Sequence, residues 1–217
     1  MTKSTEYDFW LFDLDGTLVD VEWSYIRSVF DRLEQSLDAT FSDEQARILW
    51  RGLTGSRNQY ISELGVDVEQ FWDALHQAED PQERAEATYL HPDARVVTEI
   101  KEPVGIVTHC QPYLTEPVLE HLDIRDWFDA VVCCSDSLGW KPDPAPVEYT
   151  MDQLGVNSQN GILIGDSACD IGAAWNAGIE AGHIERLNSD FRGGRVVADY
   201  QMRQLSTLRE QSRITAD

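Results

Sequence analysis

Lysine is nearly missing from this chain: Lys3, Lys101 and Lys141 stand against fourteen arginines. Positive charge of any kind is scarce, because 17 Lys+Arg face 39 Asp+Glu among 217 residues, a formal net charge of −22. A field of that sign repels polyanions, so neither nucleic acid nor an anionic membrane is an expected partner. Long hydrophobic runs are also absent. No stretch approaches the ~18 apolar residues that a membrane helix needs. The opening Met1-Thr2-Lys3-Ser4-Thr5-Glu6-Tyr7 contains no apolar run that could serve as a secretory signal. The four cysteines include no CxxC pair; Cys133 and Cys134 are adjacent, and Cys110 and Cys169 stand alone. They are expected to be reduced thiols in a cytoplasmic protein, not a disulfide framework or a metal site.

What is present is enough to build a core. Hydrophobic residues make up 42%, with seven each of Trp, Tyr and Phe, which excludes a disordered acidic tail. The length allows one sizeable core, or a core with a small insert. The acidity itself calls for explanation, since like charges weaken a compact state. Concentrated salt screens them, the Debye length falling to about 3 Å at 1 M. A salt-rich cytoplasm, as in halophilic microbes, is therefore expected.

Four short apolar runs read as buried parallel strands: 9–12, 104–107, 130–133 and 162–164. Weaker runs at 179–184 and 196–198 suggest a fifth and a sixth. Helical segments fall between them at 112–122, 144–154 and 170–177. Pro144 and Pro146 suit a first helical turn, and Gly155 and Gly178 suit helix ends. Alternating strands and helices indicate an α/β fold with a parallel sheet and helices on both faces. The stretch 19–89 differs. Trp23, Ile26, Phe30, Leu33 and Leu37 recur at steps of three and four, marking one apolar helical face. Ser42 and Gln45 fit a capping box for a second helix through Leu53. Phe71, Trp72, Leu75 and Ala78 mark another, stopped before Pro81. This reads as an all-helical insert at 19–89 after the first strand, leaving 1–18 and 90–217 as the α/β core.

Each strong apolar run leads to a group able to do chemistry. The first runs into Asp13 and Asp15, the second into Thr108, the third through a loop to Lys141, the fourth into Asp166, with Asp170 four residues on. Ligands of an open parallel sheet bind beyond the carboxyl ends of its strands, so these residues are expected to share one crevice. Clustered carboxylates repel unless a cation sits among them. An all-oxygen set without a His or Cys cluster points to a hard ion, Mg²⁺, with Asp13 and Asp166 as direct ligands and Asp170 acting through water or by orienting Asp166. Gly16 permits a tight turn whose amides aim at an anion. A metal, an ammonium, a hydroxyl and free amides together make a phosphate site.

These residues carry a resemblance. Phe12-Asp13-Leu14-Asp15-Gly16-Thr17-Leu18-Val19 resembles the DxDGT first motif of the haloacid dehalogenase superfamily. Val107-Thr108, Lys141-Pro142-Asp143-Pro144 and Gly165-Asp166-Ser167-Ala168-Cys169-Asp170 resemble its second, third and fourth motifs, in order. The insert resembles the helical cap of the phosphoglycolate-phosphatase-like subgroup. The resemblance implies a Mg²⁺-dependent phosphatase acting on a small phosphomonoester. Asp13 would form an aspartyl-phosphate, and Asp15 would serve as acid and then base, its main-chain carbonyl on the metal. Thr108 would hold a phosphoryl oxygen, and Lys141 would neutralise charge. His109 departs from the Asn or Ser usual after the second-motif Thr and is a candidate for substrate contact, as is Arg57, which lies where related caps carry a substrate-reading loop. Asp15 favours phosphate esters, because dehalogenases in the family lack it. The cap holds no lysine, against the Schiff-base route of the family's phosphonate hydrolases. A sugar phosphomutase on the same core, or a non-catalytic binding module, are the alternatives.

Overall fold

The computed structural model describes residues 7–53, 55–186 and 196–208. Its frame is a six-stranded sheet in the order β5-β4-β1-β6-β7-β8. The strands are β1 (Phe9–Phe12), β4 (Val104–Thr108), β5 (Ala130–Cys133), β6 (Gly161–Gly165), β7 (Glu180–Ile184) and β8 (Tyr200–Met202). All neighbours pair in parallel, with Phe12 opposite both Ile106 and Ile164. Strand side chains alternate between two apolar layers. Trp10, Phe12, Ile106 and Ile164 enter one core; Phe9, Leu11, Val107 and Leu163 enter the other. Burial on both faces is why these strands read as unbroken apolar runs. Helices α6 (Pro112–His121), α7 (Ala145–Gln153) and α8 (Ala168–Asn176) connect them.

The sixth strand differs from expectation. The run 196–198 forms no strand; Val196 and Ala198 pack against the core from the approach to β8, and Val197 is exposed. Pairing begins at Tyr200, opposite Gly182. Apolar character there marks packing, not hydrogen bonding.

Between β1 and β4 lie five helices: α1 (Trp23–Leu37), α2 (Asp43–Arg51), α3 (Arg57–Glu63), α4 (Val68–Ala78) and α5 (Pro81–Ala87). They have their own core, in which Ile26, Val29, Phe30, Leu33 and Phe71 are buried. Full burial of each such side chain contributes roughly 2 kcal/mol. Ser42 and Gln45 form the expected capping box of α2, which ends at Gly52 in the left-handed region. Pro81, expected to stop a helix, also starts one: it occupies the first turn of α5, behind the Asp80 cap. The joints of the insert are not purely helical. β2 (Val19–Val21) and β3 (Thr88–Leu90) pair antiparallel, Val19 opposite Leu90. Three-residue strands carry too little pattern to be read from sequence. Among the described residues, no helix is long and apolar enough to cross a membrane.

Candidate active site

The central strand and its two neighbours end side by side, and each delivers one functional group. Asp13 follows β1, its N–H donating to the Ile164 carbonyl at 2.9 Å. Thr108 closes β4 and is buried; its hydroxyl oxygen accepts the Cys110 N–H at 3.0 Å, leaving the hydroxyl hydrogen to donate. Asp166 follows β6, and Asp170 sits in the first turn of α8. Two glycines allow the acids this close. At Gly16, with φ +79°, a Cβ would lie 2.8 Å from Asp166 Oδ2, and at Gly165 it would lie 2.3 Å from Asp170 Cγ. Any side chain would displace a carboxylate.

Lys141 reaches this point from the loop between β5 and α7. Its Nζ donates to Asp13 Oδ1 at 2.7 Å, Asp170 Oδ1 at 2.6 Å and the Val107 carbonyl at 2.8 Å. Burial works against the lysine's charge, but Asp13 and Asp170 outweigh it and hold the ammonium above the ordinary lysine range. Asp170 also accepts the Ser167 N–H at 2.9 Å and its hydroxyl at 2.6 Å. Burial alone would raise Asp170; Lys141 and Ser167 bring it below the usual carboxylate range. Asp13 moves the other way. Burial, reinforced by Asp170 and Asp166, raises it against the pull of Lys141.

One carboxylate oxygen from each of Asp13, Asp166 and Asp170 lies within 4.8 Å of the other two. Three buried oxygens without nitrogen or sulfur donors suit a hard divalent cation. The Asp15 carboxyl is outside this group; the part in metal binding expected of Asp15 lies with its main-chain carbonyl, not with this side chain. Asp15 instead accepts from Arg84 Nη2 of α5.

The helical insert closes the site from above. A cavity of about 170 Å³ is lined by the core residues Asp13, Asp15, Thr108, His109 and Lys141 and by insert residues including Trp50, Arg57, Trp72 and Arg84. Arg57, at the start of α3, faces the acids; burial pulls its guanidinium below the usual arginine range while Asp166, Asp13 and Asp15 pull it back up. Arg57 also lies on Gly52, where a Cβ would come within 2.8 Å of its Nε. His109 lines the cavity with its Nε2 buried and, among the described residues, without a hydrogen-bond partner. Burial, then Lys141, lower it to about 3, so its imidazole is neutral. It packs edge-on against Trp140, ring centroids 5.5 Å apart. All the candidate residues named from sequence therefore border one space.

Sequence reasoning missed Arg84 and Glu79. Burial raises the Glu79 carboxyl to about 7, against the lowering effect of Arg84. Neither residue stands in a motif, and among fourteen arginines nothing distinguishes Arg84. Among the other histidines, His183 is buried and its ring contacts Gln201 and the Asp166 carbonyl. His76 lines the cavity instead. All four cysteines are unpaired, and burial raises the thiols of Cys110 and Cys169, which flank the site.

Comparison with known proteins agrees with this architecture. The family model described as "Haloacid dehalogenase-like hydrolase" matches residues 10–184. Phosphoglycolate phosphatase of Photorhabdus laumondii is 29% identical, with 77% of this chain and 75% of that protein covered. That of Escherichia coli K12 is also 29% identical, with 77% of each covered. The crystal structure of a HAD phosphatase from Thermococcus onnurineus is 26% identical with a TM-score of 0.64, covering 93% of this chain and 95% of that one. A haloacid dehalogenase-like family hydrolase from Streptococcus pneumoniae has the same fold, with a TM-score of 0.74 over 95% of this chain and 99% of its own at 20% identity. With the matched segment running from the strand before Asp13 to the end of β7, the chain belongs to the haloacid dehalogenase-like hydrolase family.

Proposed function

We propose that this phosphatase hydrolyses a small phosphomonoester through an aspartyl-phosphate on Asp13, with Mg²⁺ as its cofactor. The observation that carries the reading is the division of the motif's acids. Asp13, Asp166 and Asp170 gather around one point with Lys141, while the Asp15 carboxyl stands apart, free of the cluster and about a third exposed. One set suits a metal and a nucleophile; the other suits proton transfer.

A carboxylate needs no deprotonation to attack phosphorus. An Asp13 oxygen forms a bond to phosphorus as the bond to the ester oxygen breaks. Asp15 gives that departing oxygen its proton. Water then attacks phosphorus, Asp15 takes the water's proton, and the Asp13–phosphorus bond breaks to release inorganic phosphate. Lys141 offsets charge on Asp13 and the phosphoryl group, and the Thr108 hydroxyl donates to a phosphoryl oxygen. Asp13, Asp166 and the Asp15 main-chain carbonyl would hold Mg²⁺, with Asp170 fixing the cluster from behind. When bound, the ion supplies positive charge that offsets the crowded acids and the phosphoryl oxygens.

Helices α1–α5 act as a cap that excludes water. Arg57 is the cap residue suited to a second anionic group on the substrate. The relatives' name, phosphoglycolate phosphatase, together with Arg57, favours a phosphorylated small carboxylate. The chain is read as a halophile's cytoplasmic enzyme, with no nucleic-acid or membrane partner.

The test is a phosphate-release assay across 2-phosphoglycolate, hexose phosphates and nucleoside monophosphates, with Mg²⁺ or with a chelator. Activity is expected only with Mg²⁺, and Asp13→Asn is expected to reduce it at least about a thousandfold. An isomerised ester in place of free phosphate would make the enzyme a mutase, and undiminished turnover by Asp13→Asn would overturn the intermediate.

A further inference from the structure

The core supplies Asp15, but the insert holds its side chain. Arg84 Nη2 donates to Asp15 Oδ1, and among the described residues no other side chain hydrogen-bonds to this carboxyl. Arg84 is 3% exposed. A guanidinium this buried requires compensation. It has Asp15 on one side and Glu79 Oε1 at 3.9 Å from Nη1 on the other, and its centre lies 5.1 Å from the Trp50 ring. Its Nε has no hydrogen-bond partner among the described residues. Trp50, Glu79 and Arg84 all belong to the insert. The helix that carries Arg84, α5, packs on core helix α6, and Tyr113 of α6 donates its hydroxyl to the His76 carbonyl of α4 at 2.9 Å. Arg84 is thus aimed by the seating of the insert on the core.

We propose that Arg84 is a positioning residue for the acid–base step: it fixes one oxygen of Asp15 and turns the rest of the carboxyl to the cavity, so proton transfer requires a seated cap. This rests on the reading of Asp15 as the acid and base. An arginine suits the task because its fork is rigid and its charge permanent. Its bond is to a protein carboxylate, so the effect belongs to the turnover step and not to substrate affinity.

The test is a double-mutant cycle of Arg84→Gln and Asp15→Asn, assayed with Mg²⁺ on two aryl esters of similar shape, phenyl phosphate and 4-nitrophenyl phosphate. Phenoxide needs a proton to leave far more than nitrophenoxide does. Arg84→Gln is expected to lower kcat on phenyl phosphate by about tenfold or more, part of the usual contribution of a positioned acid, with a much smaller loss on 4-nitrophenyl phosphate and nearly constant KM on both. In the Asp15→Asn background the same change should add less than about twofold. Arg84→Lys, which keeps the charge, should recover part of the phenyl phosphate rate. Equal loss on both esters, full additivity with Asp15→Asn, or a raised KM at constant kcat would each overturn the proposal. If circular dichroism shows Arg84→Gln unfolded, Arg84→Lys is read by the same ester ratio, and unfolding of both variants would leave Arg84 a structural residue and overturn it too. A wild-type phenyl phosphate rate in Asp15→Asn would defeat the acid–base reading itself, an outcome distinct from additivity in an impaired Asp15→Asn enzyme.

Discussion

An ammonium group has three hydrogens, and Lys141 meets three acceptors: Asp13 Oδ1, Asp170 Oδ1 and the Val107 carbonyl. A planar guanidinium could not satisfy the same compact set, which explains why a chain that otherwise avoids lysine keeps one here. Glu79 is the opposite case, an acid whose burial outweighs the pull of Arg84 beside it. Its carboxyl is raised from 4.5 to about 7, with burial as the largest cause. A raised acid prefers its proton in the folded state, so its contribution to stability is complete below pH 4.5 and is lost as pH rises through about 7. Glutamine carries no such titration. Glu79→Gln should therefore gain stability relative to wild type by on the order of 2–3 kcal/mol between acid and mildly alkaline pH. Urea unfolding of both proteins at a series of pH values reads this directly, and a constant difference would count against it. At this scale the motif residues were legible because Asp13, Thr108 and Asp166 end apolar runs, and Lys141 and Asp170 follow such runs at a short distance. Arg84 and Glu79 were not, because their partners sit on other elements and nothing local marks them.

The local signals that position the acids are turns and caps. Ser167 begins α8 with a capping box in which its oxygen caps Asp170 N–H and the Asp170 carboxylate answers the Ser167 N–H. The same pair fixes the carboxylate that faces Lys141. Removing the hydroxyl should cost about 1 kcal/mol as a lost cap and free Asp170 to tilt away from the cluster. Ser167→Ala should thus lower the denaturation free energy by that amount and also raise the Mg²⁺ concentration needed for half-maximal activity. A loss of stability with an unchanged Mg²⁺ requirement would separate the cap from the site. Elements with strong periodicity, such as α1 and α4, and strands buried on both faces could be read from the sequence. The seven-residue helices α3 and α5 and the three-residue strands β2 and β3 could not, since each is too short to display a period. Those short elements carry Arg57 and Arg84 into the cavity, so the part of the site built by the insert was the part least visible.

At the scale of the whole molecule charge dominates: −22 on a fold in which several internal cations are committed to particular acids. Lys141 serves Asp13 and Asp170, Arg84 serves Asp15, Arg51 serves Asp20 at 2.8 Å, and Arg186 serves Asp93 at 2.8 Å. Arg27, Arg32, Arg125 and Arg203 pair with surface acids, but 39 acids outnumber 17 Lys+Arg, so the excess acids repel one another. Expansion on unfolding relieves that repulsion, so dilute buffer should favour the unfolded state. Added KCl shortens the range of the repulsion from about 30 Å at 0.01 M to about 3 Å at 1 M. The urea midpoint should therefore rise steeply over the first few hundred millimolar KCl and then flatten, with NaCl giving the same curve, because screening depends on ionic strength and not on the ion. Buried pairs such as Lys141 with Asp170 are shielded from salt and should not offset the gain. Activity should follow the same trend, since the repulsion between the acidic surface and an anionic ester is screened while contacts inside the cavity are not. A midpoint independent of KCl would mean that the surface acids are balanced some other way, and the salt-rich setting inferred from them would fall with it.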